Sequence, residues 1–105
     1  MKHYIQISTT VNHKKEAKKI ARALIKEKLA ACVQILGPIL SIYEWKGKLE
    51  EAKEWMCIIK TREDLYQKVE TAIKRLHSYE TPEVIAMPIT SVDKDYFDWM
   101  TTGTL

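Results

Sequence analysis

A chain of 105 residues is the size of one domain, long enough to bury a core without disulfide or metal staples. Its 17 Lys and Arg against 14 Asp and Glu leave a formal charge of +3, too small to call for a polyanionic partner. Two cysteines exclude a disulfide scaffold, and no apolar run approaches the ~18 residues that span a bilayer. With no signal-peptide core at Met1-Lys2-His3-Tyr4, which enters a strand pattern directly, the expectation is a soluble, cytoplasmic, single-domain protein.

Tyr4 to Thr9 alternates in polarity and predicts a strand. Asn12 is placed to cap a helix on which Ala17, Ile20, Ala21, Leu24 and Leu29 recur at helical spacing. The same helix carries Lys14, Lys15, Lys18, Lys19, Arg22, Lys26 and Lys28, countered there by Glu16 and Glu27. No aromatics interleave with these lysines, so the stripe reads as a solvated face rather than a nucleic-acid footprint. Cys32 to Leu36 returns to strand character, Gly37-Pro38 breaks it, and Ile39 to Trp45 resumes it. Lys46-Gly47 suits a two-residue hairpin turn, Gly47 supplying positive φ, and Lys48 to Lys60 forms the return arm. Both arms outrun the usual strand of about five or six residues, which makes the ribbon too long for one small domain to cover. A simple register about the turn sets Cys32 opposite Thr61 and Cys57 opposite Leu36, which keeps the sulfurs apart as reduced thiols.

Thr61 with Asp64 resembles a capping box for a second helix bearing Leu65, Val69, Ala72, Ile73 and Leu76 on one face. Thr81-Pro82 forces extended backbone, and Val84 to Ile89 is a short strand with Pro88 near its end or on an edge. Asp93 or Ser91 caps a last helix with Tyr96, Phe97, Trp99 and Met100. The order β-α-β-β-α-β is the split βαβ, ferredoxin-like plan of the α+β class: an antiparallel sheet with both main helices on one face. The face opposite the helices is expected to expose Tyr43, Trp45 and Trp55, and an apolar face of that size predicts a homo-oligomer.

Chemistry concentrates in His77-Ser78-Tyr79-Glu80-Thr81-Pro82-Glu83, between helix and strand. The segment could hold a metal or serve as acid and base, or it could be a helix end with His77 on the dipole and Tyr79 and Glu80 bracing the loop. There is no Cys-x-x-Cys, His-x-x-x-His, phosphate-cradling glycine loop or catalytic triad order. Cys32 reads either as a small core residue or as a soft-metal ligand, whereas Cys57 reads as core. Lys60 is either a solvated strand-end charge, an anion clamp, or a partner for an acid such as Glu80.

Leu29-Ala30-Ala31-Cys32-Val33, Ser41-Ile42-Tyr43-Glu44-Trp45-Lys46-Gly47-Lys48, Ile59-Lys60-Thr61 and His77 to Glu83 together resemble the successive signatures of the CutA family, the divalent-cation tolerance proteins. Ala17, Ile20, Ala21 and Leu24 ahead of them, and Pro88-Ile89, Tyr96 and Trp99 behind, extend the likeness over nearly the whole chain. The resemblance implies a homotrimer whose long hairpins pair across subunits, similar in architecture to the trimeric nitrogen-regulatory signalling proteins. It implies a non-enzymatic role in the response to copper and other divalent metals, with a cleft between subunits. The metal ligands so implied are His77, Glu80 and Cys32, the effector or cleft residues Lys60, Tyr79 and Glu83, and the trimer interface Tyr43, Trp45 and Trp55. The cofactor is then Cu²⁺ or another divalent cation, and no organic group. The partner is a second and third copy of the chain, with neither nucleic acid nor membrane. The other reading is a structural or signalling trimer that docks a protein and binds no metal. Three departures count against tight metal binding: Ser78 in a family His-Pro-Tyr run, and Ser8 and Leu76 where some relatives carry an extra Cys and His. The loop is expected to be looser and the metal weaker. Gln34 also stands where Asn is common.

Overall fold

A computed structural model describes residues 3–105, so the reading of the extreme N-terminus lies partly outside it at Met1 and Lys2. Alternation gives β1 (Tyr4–Val11), and helical spacing gives α1 (Lys14–Lys26). The hairpin arms are β2 (Cys32–Trp45) and β3 (Lys48–Arg62), followed by a 3₁₀ turn (Glu63–Leu65), α2 (Tyr66–Leu76), β4 (Ile85–Pro88) and α3 (Lys94–Thr102). The sheet order is β2-β3-β1-β4, antiparallel throughout, as the split βαβ plan requires. Pro88 ends the edge strand, where its missing N–H costs no ladder bond.

Odd-numbered residues of β1 and β3 point to the helices. Ile5, Ile7 and Val11 with Cys57 and Ile59 meet Ala17, Ile20 and Leu24 of α1 and Val69, Ala72 and Ile73 of α2 in one core. The third helix lies on the other side. Tyr4, Met100 and Phe97 pack together there, with the Tyr4 and Phe97 rings edge-on at 5.1 Å, so α3 covers one end of the face that the main helices leave open.

The helix ends correct two expectations and settle a third. Asn12 does not cap α1; His13 occupies the N-cap without a side-chain bond. Thr61 does not cap α2, because its fully buried hydroxyl donates to the Leu29 carbonyl at 2.6 Å. Asp64 instead takes Arg62 at 2.9 Å, and the chain makes a 3₁₀ turn before the helix begins. Asp93, and not Ser91, caps α3, accepting the Tyr96 N–H at 3.1 Å.

Lys46 (φ 52°) and Gly47 (φ 80°) both take positive φ, the type I′ turn that suits the twist of a hairpin. The arms do not stay in simple register. Gly37-Pro38 does not end the strand: it forms a bulge in one continuous β2 of 14 residues, two residues facing the single Trp55 between the pairs Leu36↔Met56 and Ile39↔Glu54. Cys32 therefore pairs with Lys60 rather than Thr61, and Cys57 with Ile35 rather than Leu36; both thiols are free. A one-residue shift exchanges faces. Before the bulge Val33 and Ile35 point to the core; after it Ile39, Ser41, Tyr43 and Trp45 turn to the open face beside Glu54. Trp55 does not join them. It stays on the helix side, packed against the main core and over Gly37, where an added Cβ would lie 2.3 Å from its ring. Beyond Val11↔Trp55 no strand among the described residues flanks the hairpin, so its far half projects as a free ribbon.

Candidate functional site

The loop after α2 is built on His77, whose backbone N–H closes the helix on the Ile73 carbonyl at 2.9 Å. Its side chain has no exposed surface. Nε2 lies 2.8 Å from the Thr10 carbonyl, on a stretch of β1 beyond the last residue paired with β4. A carbonyl can only accept, so Nε2 carries the hydrogen and Nδ1 presents its lone pair to the Tyr79 N–H at 3.1 Å. Both ring nitrogens are thereby engaged. A metal could take either one only by breaking a hydrogen bond of a buried group.

Ser78 ties the loop rather than loosening it. Its N–H and its hydroxyl both donate to Glu16 of α1, at 2.7 Å and 3.0 Å, and a proline there could make neither bond. Glu16 also lies 3.8 Å from His77 Nδ1. Tyr79 stacks at a tilt on the His77 ring, 4.8 Å between centroids, and donates its hydroxyl to Glu54 at 2.6 Å. Burial first, and then the Glu54 carboxylate, push the Tyr79 phenol well above its ordinary value of 10.0, so it remains a donor. Glu54 is only 4% exposed, and Tyr79 serves one of its two oxygens. Glu83 accepts the Ser8 hydroxyl at 3.1 Å, and Glu80 stands exposed between them in sequence.

These groups enclose a cleft of ≈ 730 Å³ between the loop and the open side of the hairpin. Tyr43 and Trp45 form one wall; Thr10, Ser41 and Glu54 line it across the strands; Tyr79, Glu80 and Glu83 bound it on the loop side. Its charged lining is Glu54, Glu80 and Glu83, with no cationic side chain among them.

Cys32 and Lys60 lie elsewhere. They pair at the far end of the hairpin, six residues of β3 from Glu54, or about 20 Å along the strand. Lys60 does not reach Glu80: its ammonium donates to Gln34 at 3.0 Å and sits 5.7 Å from the centre of the Tyr96 ring. Burial, followed by the neighbouring Cys32 thiol, raises the Tyr96 phenol. Trp99 packs beside Tyr96 at 5.3 Å. One protomer therefore does not unite His77, Glu80 and Cys32. Among the described residues, no group of three or more His, Cys, Asp or Glu side chains is placed to hold a metal ion.

Sequence reasoning missed Glu54 and Glu16, the two carboxylates that organise the loop. Glu54 carried a faint signal, as an acid beside the apolar run that starts at Trp55. Glu16 carried none beyond its charge within a lysine-rich helix.

A ferredoxin-like subunit with a free aromatic ribbon and a cleft between that ribbon and the α2–β4 loop defines the class of protein. The chain matches the family model for CutA1 divalent ion tolerance protein over residues 5–103 and belongs to that family. It is 41% identical over 100 residues to the chloroplastic protein CutA of Arabidopsis thaliana, spanning 95% of this chain and 55% of that one. It is 39% identical to the divalent-cation tolerance protein CutA of Thermus thermophilus, covering 90% of this chain and 92% of the relative. Among solved structures, CutA1 from Oryza sativa superposes with a TM-score of 0.95 at 41% identity, covering 98% of this chain and 94% of that one. The structure described as the periplasmic divalent cation tolerance protein CutA of Archaeoglobus fulgidus superposes at 0.92 with 40% identity, over 95% of this chain and 97% of the other. The chain thus spans about half the length of the plant relative, 55%, and nearly all of the bacterial one, 92%. No helix among the described residues is long and apolar enough to cross a membrane.

Proposed function

We propose that the chain acts in the cytoplasm as a non-enzymatic homotrimer that responds to divalent cations, copper among them, by taking a cation into the cleft beside the His77–Glu83 loop. The observation that carries this reading is the cleft's charged lining of Glu54, Glu80 and Glu83, carboxylates only. An acidic concavity raises the local concentration of cations whether or not it closes a coordination shell. The ion is held weakly and hydrated, by Glu80 and Glu83 rather than by the His77 ring, because both nitrogens of that ring are already bonded. The same engagement argues against His77 as an acid–base catalyst, and the raised Tyr79 phenol argues against Tyr79 as a base. Trimer formation is supported by the open sheet face, where Leu36, Ile85 and Met87 are each about half exposed. Assembly is also the step that would bring the Cys32–Lys60 end of one subunit to the loop of the next.

Equilibrium dialysis with Cu²⁺ tests the reading. Saturable binding, weakened in the Glu80→Gln/Glu83→Gln double variant and unchanged in His77→Gln, is the expected result. An isotherm unmoved by the double variant removes this site, and a monomer in sedimentation removes the assembly. A second reading, a trimer that docks a protein and binds no metal, is favoured by the lack of a three-donor group within the described protomer. Dialysis showing no saturable Cu²⁺ binding would select it.

A further inference from the structure

The acidic lining explains why a cation would enter the cleft; it does not explain the aromatic wall. Tyr43 and Trp45 occupy alternate positions of β2, so both side chains leave the same face about 7 Å apart, and the bulge at Gly37-Pro38 is what turns that face toward Glu54. A hydrated metal ion gains little from such a wall. An organic ammonium ion gains from both components, because its poorly hydrated, charge-bearing surface is attracted to the negative face of Trp and Tyr rings. Trp45 already behaves this way within the chain: the Lys46 ammonium lies 5.6 Å from the centre of its ring. The buried end of the cleft supplies a second component. Glu54 is 4% exposed, accepts the Tyr79 hydroxyl on one of its oxygens and lines the cleft. A carboxylate with so little water around it attracts a cation more strongly than an exposed one does. At ≈ 730 Å³ the cleft is also within the range of small-molecule sites and far larger than a bare ion needs.

From this juxtaposition we infer that the cleft between Tyr43, Trp45 and Glu54 is a binding site for an organic ammonium ion. The inference rests on the cationic reading of the same cleft and names the class of effector. Glu54 takes the charge at the inner end, Trp45 and Tyr43 cover the flank, and Glu80 and Glu83 attract the cation at the rim. Two sources share this chemistry: quaternary ammonium compounds, which favour the aromatic wall, and aliphatic polyamines, which favour the spaced carboxylates.

The test is calorimetric titration of the full chain, in its native oligomeric state, with tetramethylammonium and separately with putrescine. NMR follows the Trp45 indole N–H. Saturable binding of at least one probe is expected, with a shift at Trp45 that saturates together with the heat. Affinity should fall about 10-fold in Trp45→Leu and again in Glu54→Gln, while the Cu²⁺ isotherm of Trp45→Leu stays at wild type. Should Trp45→Leu disturb assembly, Tyr43→Leu against Tyr43→Phe makes the same comparison, with the retained ring retaining affinity. Tighter tetramethylammonium assigns the quaternary class, and tighter putrescine the polyamine class. Binding no stronger than that of sodium, or binding indifferent to loss of either ring, overturns the inference. Because Trp45→Leu separates the ammonium and Cu²⁺ isotherms, that failure is distinct from failure of the metal reading.

Discussion

Tyr79 and Glu54 form the most consequential pair of side chains in the loop, since the hydroxyl that anchors the cleft also satisfies a carboxylate with almost no exposed surface. Tyr79→Phe keeps the ring on His77 and leaves Glu54 without its donor. It is expected to cost about 1–3 kcal/mol in denaturant unfolding, with Glu54→Gln costing less because an amide oxygen can still accept. The same bond gives an alkaline signature. Tyr79 is raised above 10.0 in the folded chain, and Cys57, desolvated in the core, is raised from 9.0 to about 11. Each group holds its proton more tightly when folded, so the stability they contribute is complete below the unfolded values and is lost as pH rises through the folded ones. Unfolding free energy should therefore decline above about pH 9, with Cys57→Ala removing the earlier part of the slope and Tyr79→Phe the later part. A flat profile from pH 8 to 11, as an order-of-magnitude window, would show that neither group is held as described. None of this pairing was legible in the sequence. Tyr79 finds Glu54 at 25 positions' separation, Ser78 finds Glu16 at 62 and His77 finds Thr10 at 67, and side-chain bonds across such distances follow from the packed fold alone.

The hairpin shows where periodicity suffices and where it stops. Its two arms and its turn follow from the alternation on either side of Lys46-Gly47, but its register depends on Gly37-Pro38. In sequence that dipeptide reads as a break; in the sheet it is an extra residue that turns Tyr43 and Trp45 to the open face and leaves Trp55 on the other. Alternation carries no count of bulges, so the face assigned to Trp55 was the one it could not fix. Glycine is needed at the bulge for lack of room, since a Cβ there would meet the Trp55 ring at 2.3 Å. Gly37→Ala should destabilise by about 1–3 kcal/mol, and Trp55→Leu should recover part of that loss in the double variant, a coupling that additive effects would disprove. At the tip the prediction has the opposite sign. Lys46 holds φ 52° without being glycine, and asparagine tolerates that region better. Lys46→Asn should raise stability by a few tenths of a kcal/mol to about 1 kcal/mol, read as a shift in denaturant midpoint without a change in slope.

At the scale of the whole molecule, the subunit divides into a closed side and an open one. α1 and α2 seal one face of the sheet over a continuous core, whereas α3 covers only one end of the other. What remains open includes Leu36, Ile85 and Met87, each about half exposed, and continues into the free ribbon with Tyr43 and Trp45; on the ribbon's opposite side Leu40, Ile42 and Leu49 are more exposed still. Leaving this much apolar surface in water is unfavourable by roughly 25 cal/mol per Å², which is the driving force for one copy to cover another. The element order made that face predictable, because two helices on one side of a four-stranded sheet always leave the other side bare; α3 was not placed by the sequence, since a nine-residue helix carries too few apolar positions to say which face it meets. The division allows assembly to be broken without unfolding the subunit. Met87→Lys puts a charge on edge strand β4 on the open face, opposite Gln6 and away from the core that Ile5 and Ile7 share with the helices. The expected outcome is a monomer in sedimentation velocity at micromolar concentration, a range set by ordinary interface affinities of ~10⁻⁶ M and tighter, with the far-UV circular dichroism of the wild type retained. Full retention of the oligomer would show that β4 lies outside the contact, and loss of the dichroism would show that the subunit does not fold without its neighbours. A dissociated but folded chain would locate the interface on the open face, and it would allow the cleft's affinity for cations to be measured in a single subunit, separating what Glu54, Glu80 and Glu83 do within one chain from what assembly adds.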